Sequence, residues 1–151
     1  MKKKISIGCD HGGFALKEKI GDFLKKAGYQ VLDFGAFSEE SVDYPDTAYE
    51  VAKAVSIKKT AKGILICKSG IGNSIVANKV KNVRAALCYN IRAAKLSRMH
   101  NDANVLVLGA LFTDTAAAKK MVKAWLKTPF EGGRHLRRIK KIERIEKLCA
   151  R

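Results

Sequence analysis

The chain has 151 residues, enough for one hydrophobic core and too few to argue for two. Thirty Lys or Arg face fourteen Asp or Glu, and the resulting net charge of +16 favours anionic partners without choosing among phosphorylated metabolites, nucleic acid and acidic surfaces. No apolar run approaches the roughly 18 residues of a membrane-spanning helix, and the opening residues lead straight into a strand rather than a signal peptide, so a single soluble, cytoplasmic domain over residues 1–151 is expected.

In chain order, Ile5 to Cys9 reads as a first strand, Asp10-His11-Gly12-Gly13 as a turn, and Leu16, Ile20, Phe23, Leu24 and Ala27 as the inner face of a helix that Gly28 stops. Tyr29 to Phe34 makes a second strand. A polar loop over residues 35–46 ends at Asp43-Tyr44-Pro45-Asp46, where proline suits a helix's first turn, and Ala48, Val51, Ala52 and Val55 continue that helix. Ile64-Leu65-Ile66 is a short branched run of the kind buried on both faces in a parallel sheet. It delivers Cys67 into the turn Ser69-Gly70-Ile71-Gly72, and a helix resumes with Ile71, Ile75 and Val76 to end near Lys79. Val83 to Cys88 predicts a fourth strand and Ile91 to Met99 a helix ending at His100-Asn101-Asp102. Asn104 to Leu108 predicts a fifth strand. Thr113 or Asp114 caps a helix buried through Ala118, Met121, Val122 and Trp125, which Pro129 terminates.

Gly132-Gly133 precede a last helix over 132–151 with eight Lys or Arg against two Glu from Arg134 onward. Leu136, Ile139, Ile142, Ile145 and Leu148 recur every three residues along it, so one face of that helix must be buried. Strands alternating with helices imply a three-layer αβα, Rossmann-like α/β sandwich on a five-stranded parallel sheet, with the basic helix at its C-terminus. Ligands in such sheets bind beyond the carboxyl ends of the strands where the strand order reverses, and the turns after the first and third strands are expected to flank that crevice.

Four cysteines, Cys9, Cys67, Cys88 and Cys149, fall in no disulfide or zinc spacing, and buried reduced thiols are expected for all but Cys67. Cys67 ends a strand at the start of a helix, beside Lys68, where positive potential lowers a thiol's pKa; nucleophile and general base both remain open. The SGIG turn suits an anion cradle and a plain tight turn about equally, and lacks the P-loop pattern. His11 and His100 lie in polar turns, and Arg134 and Arg138 at i and i+4 suit a phosphate.

Together, IGCDHGGF, DYPD at 43–46, GILICKSGIGNSIVANKV, RAALC, HNDANVLVLG from His100 and FEGGRH resemble the sugar-phosphate isomerase family of ribose-5-phosphate isomerase B and the galactose-6-phosphate isomerase subunits, and most of all its ribose-5-phosphate branch. The resemblance spans nearly the whole chain in order. It implies an aldose–ketose isomerase working through an enediolate on ribose 5-phosphate, without metal or organic cofactor, as a homodimer or dimer of dimers with sites at the subunit interface. By matching position, Cys67 is the base between C2 and C1. Backbone N–H groups around Ser69, Gly70, Ile71 and Gly72 hold the enediolate oxygen with help from the Ser69 hydroxyl. His100 opens the furanose ring, Asp10 and Asn101 hold hydroxyls, Tyr44 packs on the sugar, and His11, Arg134 and Arg138 bind phosphate. Asn73 lines the same turn, at a position where some relatives without the cysteine use glutamate.

Two residues depart from the family pattern: Lys68 stands where glycine is usual, and Leu111 where relatives carry a phosphate-binding arginine. A hexose-6-phosphate substrate (allose or galactose phosphate) is therefore the alternative within the class. A nucleic-acid-binding protein on an isomerase scaffold is the alternative outside it, ranked lower because no nucleic-acid motif accompanies the charge. The stripe of the last helix fits an exchange between subunits and packing on its own domain equally well.

Overall fold

The structure is a computed structural model and describes residues 3–149. Five parallel strands, β1 (Lys4–Cys9), β2 (Gln30–Asp33), β3 (Lys62–Cys67), β4 (Ala85–Leu87) and β5 (Val105–Gly109), form one sheet in the order β2-β1-β3-β5-β4. The strands at its centre read as unbroken apolar runs because helices cover both faces. Ile64, Leu65 and Ile66 of β3 and Val105 to Leu108 of β5 are fully buried.

Helices α1 (Phe14–Lys26) and α5 (Thr115–Lys127) lie on one face with α4 (Ile91–Asn101), while α2 (Tyr44–Ser56) and α3 (Ile71–Ala77) cover the other. Each face has its own core, one built around Ile5, Ile7, Ile20, Leu106 and Trp125 and the other around Val51, Leu65, Val105 and Val107. Asp114 rather than Thr113 caps α5, its carboxylate accepting from Ala117 N at 2.8 Å. The fourth strand is shorter than the apolar pattern suggests. It is an edge strand paired only with β5, and the Asn78 side chain, not a strand, takes the Ala85 N–H.

α6 (Arg134–Cys149) corrects two expectations. Only His135 and Ile139 are buried along it, while Leu136, Ile142, Ile145 and Leu148 are 44%, 48%, 59% and 83% exposed. Of the apolar stripe, therefore, only Ile139 packs fully on its own domain, and the other four residues remain half to largely exposed in the single chain. Cys149, expected to be buried, is exposed on the same helix. Residues 150 and 151, within the predicted span of this helix, lie outside the described residues. No helix among the described residues is long and apolar enough to cross a membrane.

Candidate active site

The strand order reverses between β1 and β3, and the turns leaving those strands meet there. Asp10 N donates to Ile66 O at 3.3 Å, so the Asp10 turn and the end of β3 are one surface. Asp10 is buried and spends one carboxylate oxygen on Gly13 N, at 2.9 Å, capping a single 3-10 turn over His11–Gly13. His11 accepts from Val42 N through Nδ1 at 3.3 Å, which ties the turn to the loop before α2. Tyr44 opens α2, and its ring lies against Gly72; a Cβ there would come within 2.6 Å of ring carbons.

Cys67 closes β3 and is 4% exposed. Gly70 N donates to its sulfur at 3.1 Å, with the backbone N–H groups of Asn73 and Ser69 also favouring the thiolate. Burial nevertheless raises the thiol above its ordinary value, and the Asp10 charge adds to the rise. The expected depression does not occur, for two physical reasons. α3 has only seven residues and a correspondingly weak dipole, and Lys68 is exposed, with its stem over Gly12. Burial acts harder on the other buried thiols: Cys9 is pushed up to about 12 and Cys88 to about 11.

Two N–H groups of the SGIG turn are already engaged, Gly70 by the Cys67 sulfur and Ile71 by the Ser69 hydroxyl at 3.2 Å. Tyr89 OH donates to Ser69 O at 3.0 Å and anchors the turn from the far side. Asn73 is fully buried with both amide atoms unpartnered, so the turn carries an unmet demand for a polar group.

His100 and Asn101 are elsewhere in the chain. They occupy the last turn of α4, which runs back against the strands and hands the chain to β5 at its amino end, where Gly63 N donates to Asn104 O at 2.9 Å. Four residue steps along β3, about 13 Å of strand, separate Gly63 from Cys67. A single chain thus places Cys67, Ser69, Asp10, His11, Tyr44 and Asn73 at the carboxyl edge of the sheet, and His100 and Asn101 at the amino edge. Arg134 and Arg138 belong to the second group, because their charges press on His135 and His135 stacks on His100.

That stack is nearly parallel, with ring centroids 4.2 Å apart and planes 9° apart. Glu131 Oε2 lies 3.8 Å from His100 Nε2 and 3.6 Å from His135 Nε2. The three donor atoms fall within 4.8 Å of one another, close enough to suggest a metal. Parallel rings, however, send their in-plane lone pairs side by side rather than toward a common centre, so the group as it stands does not form a tetrahedral site.

The chain matches the family model described as Ribose/Galactose Isomerase over residues 5–142. The chain belongs to that family. It is 47% identical to the Escherichia coli ribose-5-phosphate isomerase B over 144 residues, covering 95% of this chain and 97% of the relative. Its fold matches the Clostridium thermocellum ribose-5-phosphate isomerase B with a TM-score of 0.95 at 53% identity, over 96% of this chain and 98% of that one. The Mycoplasma genitalium enzyme with bound ribulose-5-phosphate matches with a TM-score of 0.93 at 44% identity, over 97% and 98%. Within the family frame, sequence reasoning passed over Glu131 and His135. The only signal for them was their place in FEGGRH, on either side of the Gly132-Gly133 turn that leads into α6.

Proposed function

We infer that the chain interconverts ribose 5-phosphate and ribulose 5-phosphate as an aldose–ketose isomerase, with Cys67 as the base. The observation that carries this is the buried Cys67 sulfur at the strand-order switch, facing the Gly70 N–H at 3.1 Å with Asp10 beside it. The Cys67 thiolate removes the proton from C2 of the open-chain sugar as O1 takes up the enediolate charge, the O2 hydroxyl proton passes to O1, and the same sulfur returns its proton to C1 as the C2=O2 bond forms. Proton transfer accounts for both steps, so no cofactor is required.

The donors divide the work. Gly70 N–H supports the thiolate, while the first-turn N–H of Gly72 and the Ser69 hydroxyl serve the enediolate oxygen, whose charge develops only in the transition state. The carboxylate oxygen of Asp10 not used in capping takes a sugar hydroxyl, Ile71 and Tyr44 border the sugar, and the buried Asn73 amide gains the partner it lacks. His11 binds phosphate with Arg134 and Arg138, His100 opens the furanose ring, and Asn101 holds a hydroxyl.

These assignments require two copies. His100, Asn101, Arg134 and Arg138 sit at the amino edge of the sheet and meet Cys67 only if a second chain presents them. The exposed stripe of α6 supports a homodimer, or a dimer of dimers, by supplying the contact surface. It borders a groove of about 780 Å³ lined by Ile142, Ile145, Val83 and Ala85. Four free cysteines fit a reducing cytoplasm.

The deciding experiment follows conversion of ribose 5-phosphate by the wild type and Cys67→Ala, with allose and galactose 6-phosphates in the same panel. Conversion of ribose 5-phosphate by the wild type and its loss in the variant are expected; equal rates in the two proteins would sink the role of Cys67.

A further inference from the structure

Outside the Cys67 turn, the most organised chemical group is His135 against His100 and Glu131. Its placement is built from the backbone: Glu131 N donates to Met99 O at 3.1 Å, His135 N donates to Gly132 O at 3.0 Å, and the next inward turn of α6 is anchored by buried Ile139. The first of these bonds ties the loop before α6 to the last turn of α4, and the second closes the first turn of α6. His135 is thereby 7% exposed, directly against the His100 ring.

The charged groups facing His135 are His100 from α4, Glu131 from the preceding loop, and Arg134 and Arg138 from its own helix. At 3.6 and 3.8 Å the Glu131 carboxylate is beyond hydrogen-bond length from both rings and acts as one counter-charge for two imidazoles. Two imidazolium rings stacked at 4.2 Å repel each other, and one carboxylate does not neutralise two cations. Burial, His100 and the arginines all hold His135 below its ordinary pKa, so His135 is a ring that favours its neutral form.

We propose that His135 is a positioning residue for ring opening, fixing the His100 imidazole by stacking and, with Glu131, restricting the pair to one proton. The inference rests on assigning ring opening to His100. The proton balance closes. The His100 imidazolium gives its proton to ring oxygen O4 as the C1–O4 bond breaks, and the imidazole recovers one from the anomeric hydroxyl as the C1=O1 bond forms. A pair carrying no proton has none to give to O4 as the C1–O4 bond breaks.

Ribulose 5-phosphate separates this step from the chemistry of Cys67. Its O5 is phosphorylated, so it cannot close to a furanose, and deuterium exchange from D2O into its C1 requires enolisation but no ring opening. In the full-length protein, His135→Ala is expected to lower kcat/KM for ribose 5-phosphate by about 10- to 100-fold, the scale of a misplaced catalytic group. C1 exchange should stay within about twofold of the wild type. His135→Phe, which keeps an aromatic face, should recover most of the loss. Glu131→Gln, by removing the counter-charge that favours the imidazolium, should likewise lower kcat/KM for ribose 5-phosphate and leave C1 exchange within about twofold of the wild type.

Wild-type turnover in His135→Ala, or an equal fall in exchange and turnover, would overturn the proposal. Failure of Phe to rescue a folded His135→Ala protein would overturn the stacking role. Absence of C1 exchange in the wild type would instead overturn the isomerase assignment itself.

Discussion

The Gly70 N–H points at the Cys67 sulfur at 3.1 Å, yet that sulfur holds its proton more tightly than a free thiol does. Burial is the larger effect, and the backbone donors only reduce it. The site is thus arranged around a thiolate that the free protein populates sparingly.

A pH consequence follows directly. With Cys67 as the proposed base, the form that would react is its thiolate, whose fraction below a raised pKa grows about tenfold per pH unit. For deuterium exchange into C1 of ribulose 5-phosphate, which needs the thiolate but no ring opening, kcat/KM is expected to keep rising past pH 9.0, the unperturbed thiol value. A profile measured between about pH 6 and 10 that levels off near neutrality would contradict the burial argument.

The turn behind Cys67 depends on Gly70. Its φ is +85°, and an added Cβ would collide with Leu87 Cδ1 and lie 3.2 Å from the Leu108 carbonyl carbon. Gly70→Ala must therefore carry both backbone strain and a clash, together about 1–3 kcal/mol, or several degrees in Tm. Thermal unfolding and kcat should fall together because the same N–H serves the sulfur. An unchanged Tm with unchanged kcat would show that the turn accommodates a side chain.

Much of this was legible in the sequence, for identifiable reasons. Ile64-Leu65-Ile66 is short, branched and apolar, Gly28 and Pro45 mark helix ends, and the SGIG turn after Cys67 announces a strand-to-helix switch. Two things had no local signal. Burial of Cys67 comes from its pairing beside Gly109 of β5 and from the turn and α3 that fold back onto its sulfur, and no neighbour in sequence reports it. The resemblance that joins His100 to Cys67 does not say which chain supplies it. A helix following a parallel strand must return to the amino edge, and that topological fact separates them. The exposure of α6 has no local signature, since a stripe looks the same whether its own domain or another copy covers it.

Lys62 gives a stability prediction of known sign. Burial, then the nearby Arg98 charge, lower its pKa from 10.5 to about 8, even though Nζ donates to Leu126 O at 3.4 Å and lies 4.9 Å from the Trp125 ring centroid. The unfolded chain binds this proton more readily. The group's contribution to stability is therefore present above pH 10.5 and lost as pH falls through about 8, leaving a cost at neutrality. Lys62→Met should raise the unfolding free energy measured in urea at neutral pH by about 1–2 kcal/mol after the lost hydrogen bond is counted, and the gain should disappear in strong alkali. A variant less stable at neutral pH would mean that the Trp125 contact outweighs desolvation.

Ile142 and Ile145 are 48% and 59% exposed in one chain, so replacing both by Asp removes no core contact. If a second copy covers them, each isoleucine forfeits about 1.5–3 kcal/mol of burial and its replacement adds a desolvated charge. Light scattering should give a dimer or larger for the wild type and a folded monomer for the double variant. A monomeric wild type would remove the basis for a shared site.

The separation of His100 from Cys67 across the sheet allows a test that neither single substitution provides. If each site takes Cys67 from one chain and His100 from the other, Cys67→Ala and His100→Ala homodimers are both inactive. A mixed dimer nevertheless has one site lacking both groups and one site lacking neither. Random reassociation makes half the dimers mixed, each with one intact site of two, so activity should return to about a quarter of wild type. The rate of recovery should follow the rate of subunit exchange and vanish if exchange is blocked by cross-linking before mixing. Were Cys67 and His100 to act within one chain, every site in the mixture would lack one of them, and no activity would return at any ratio.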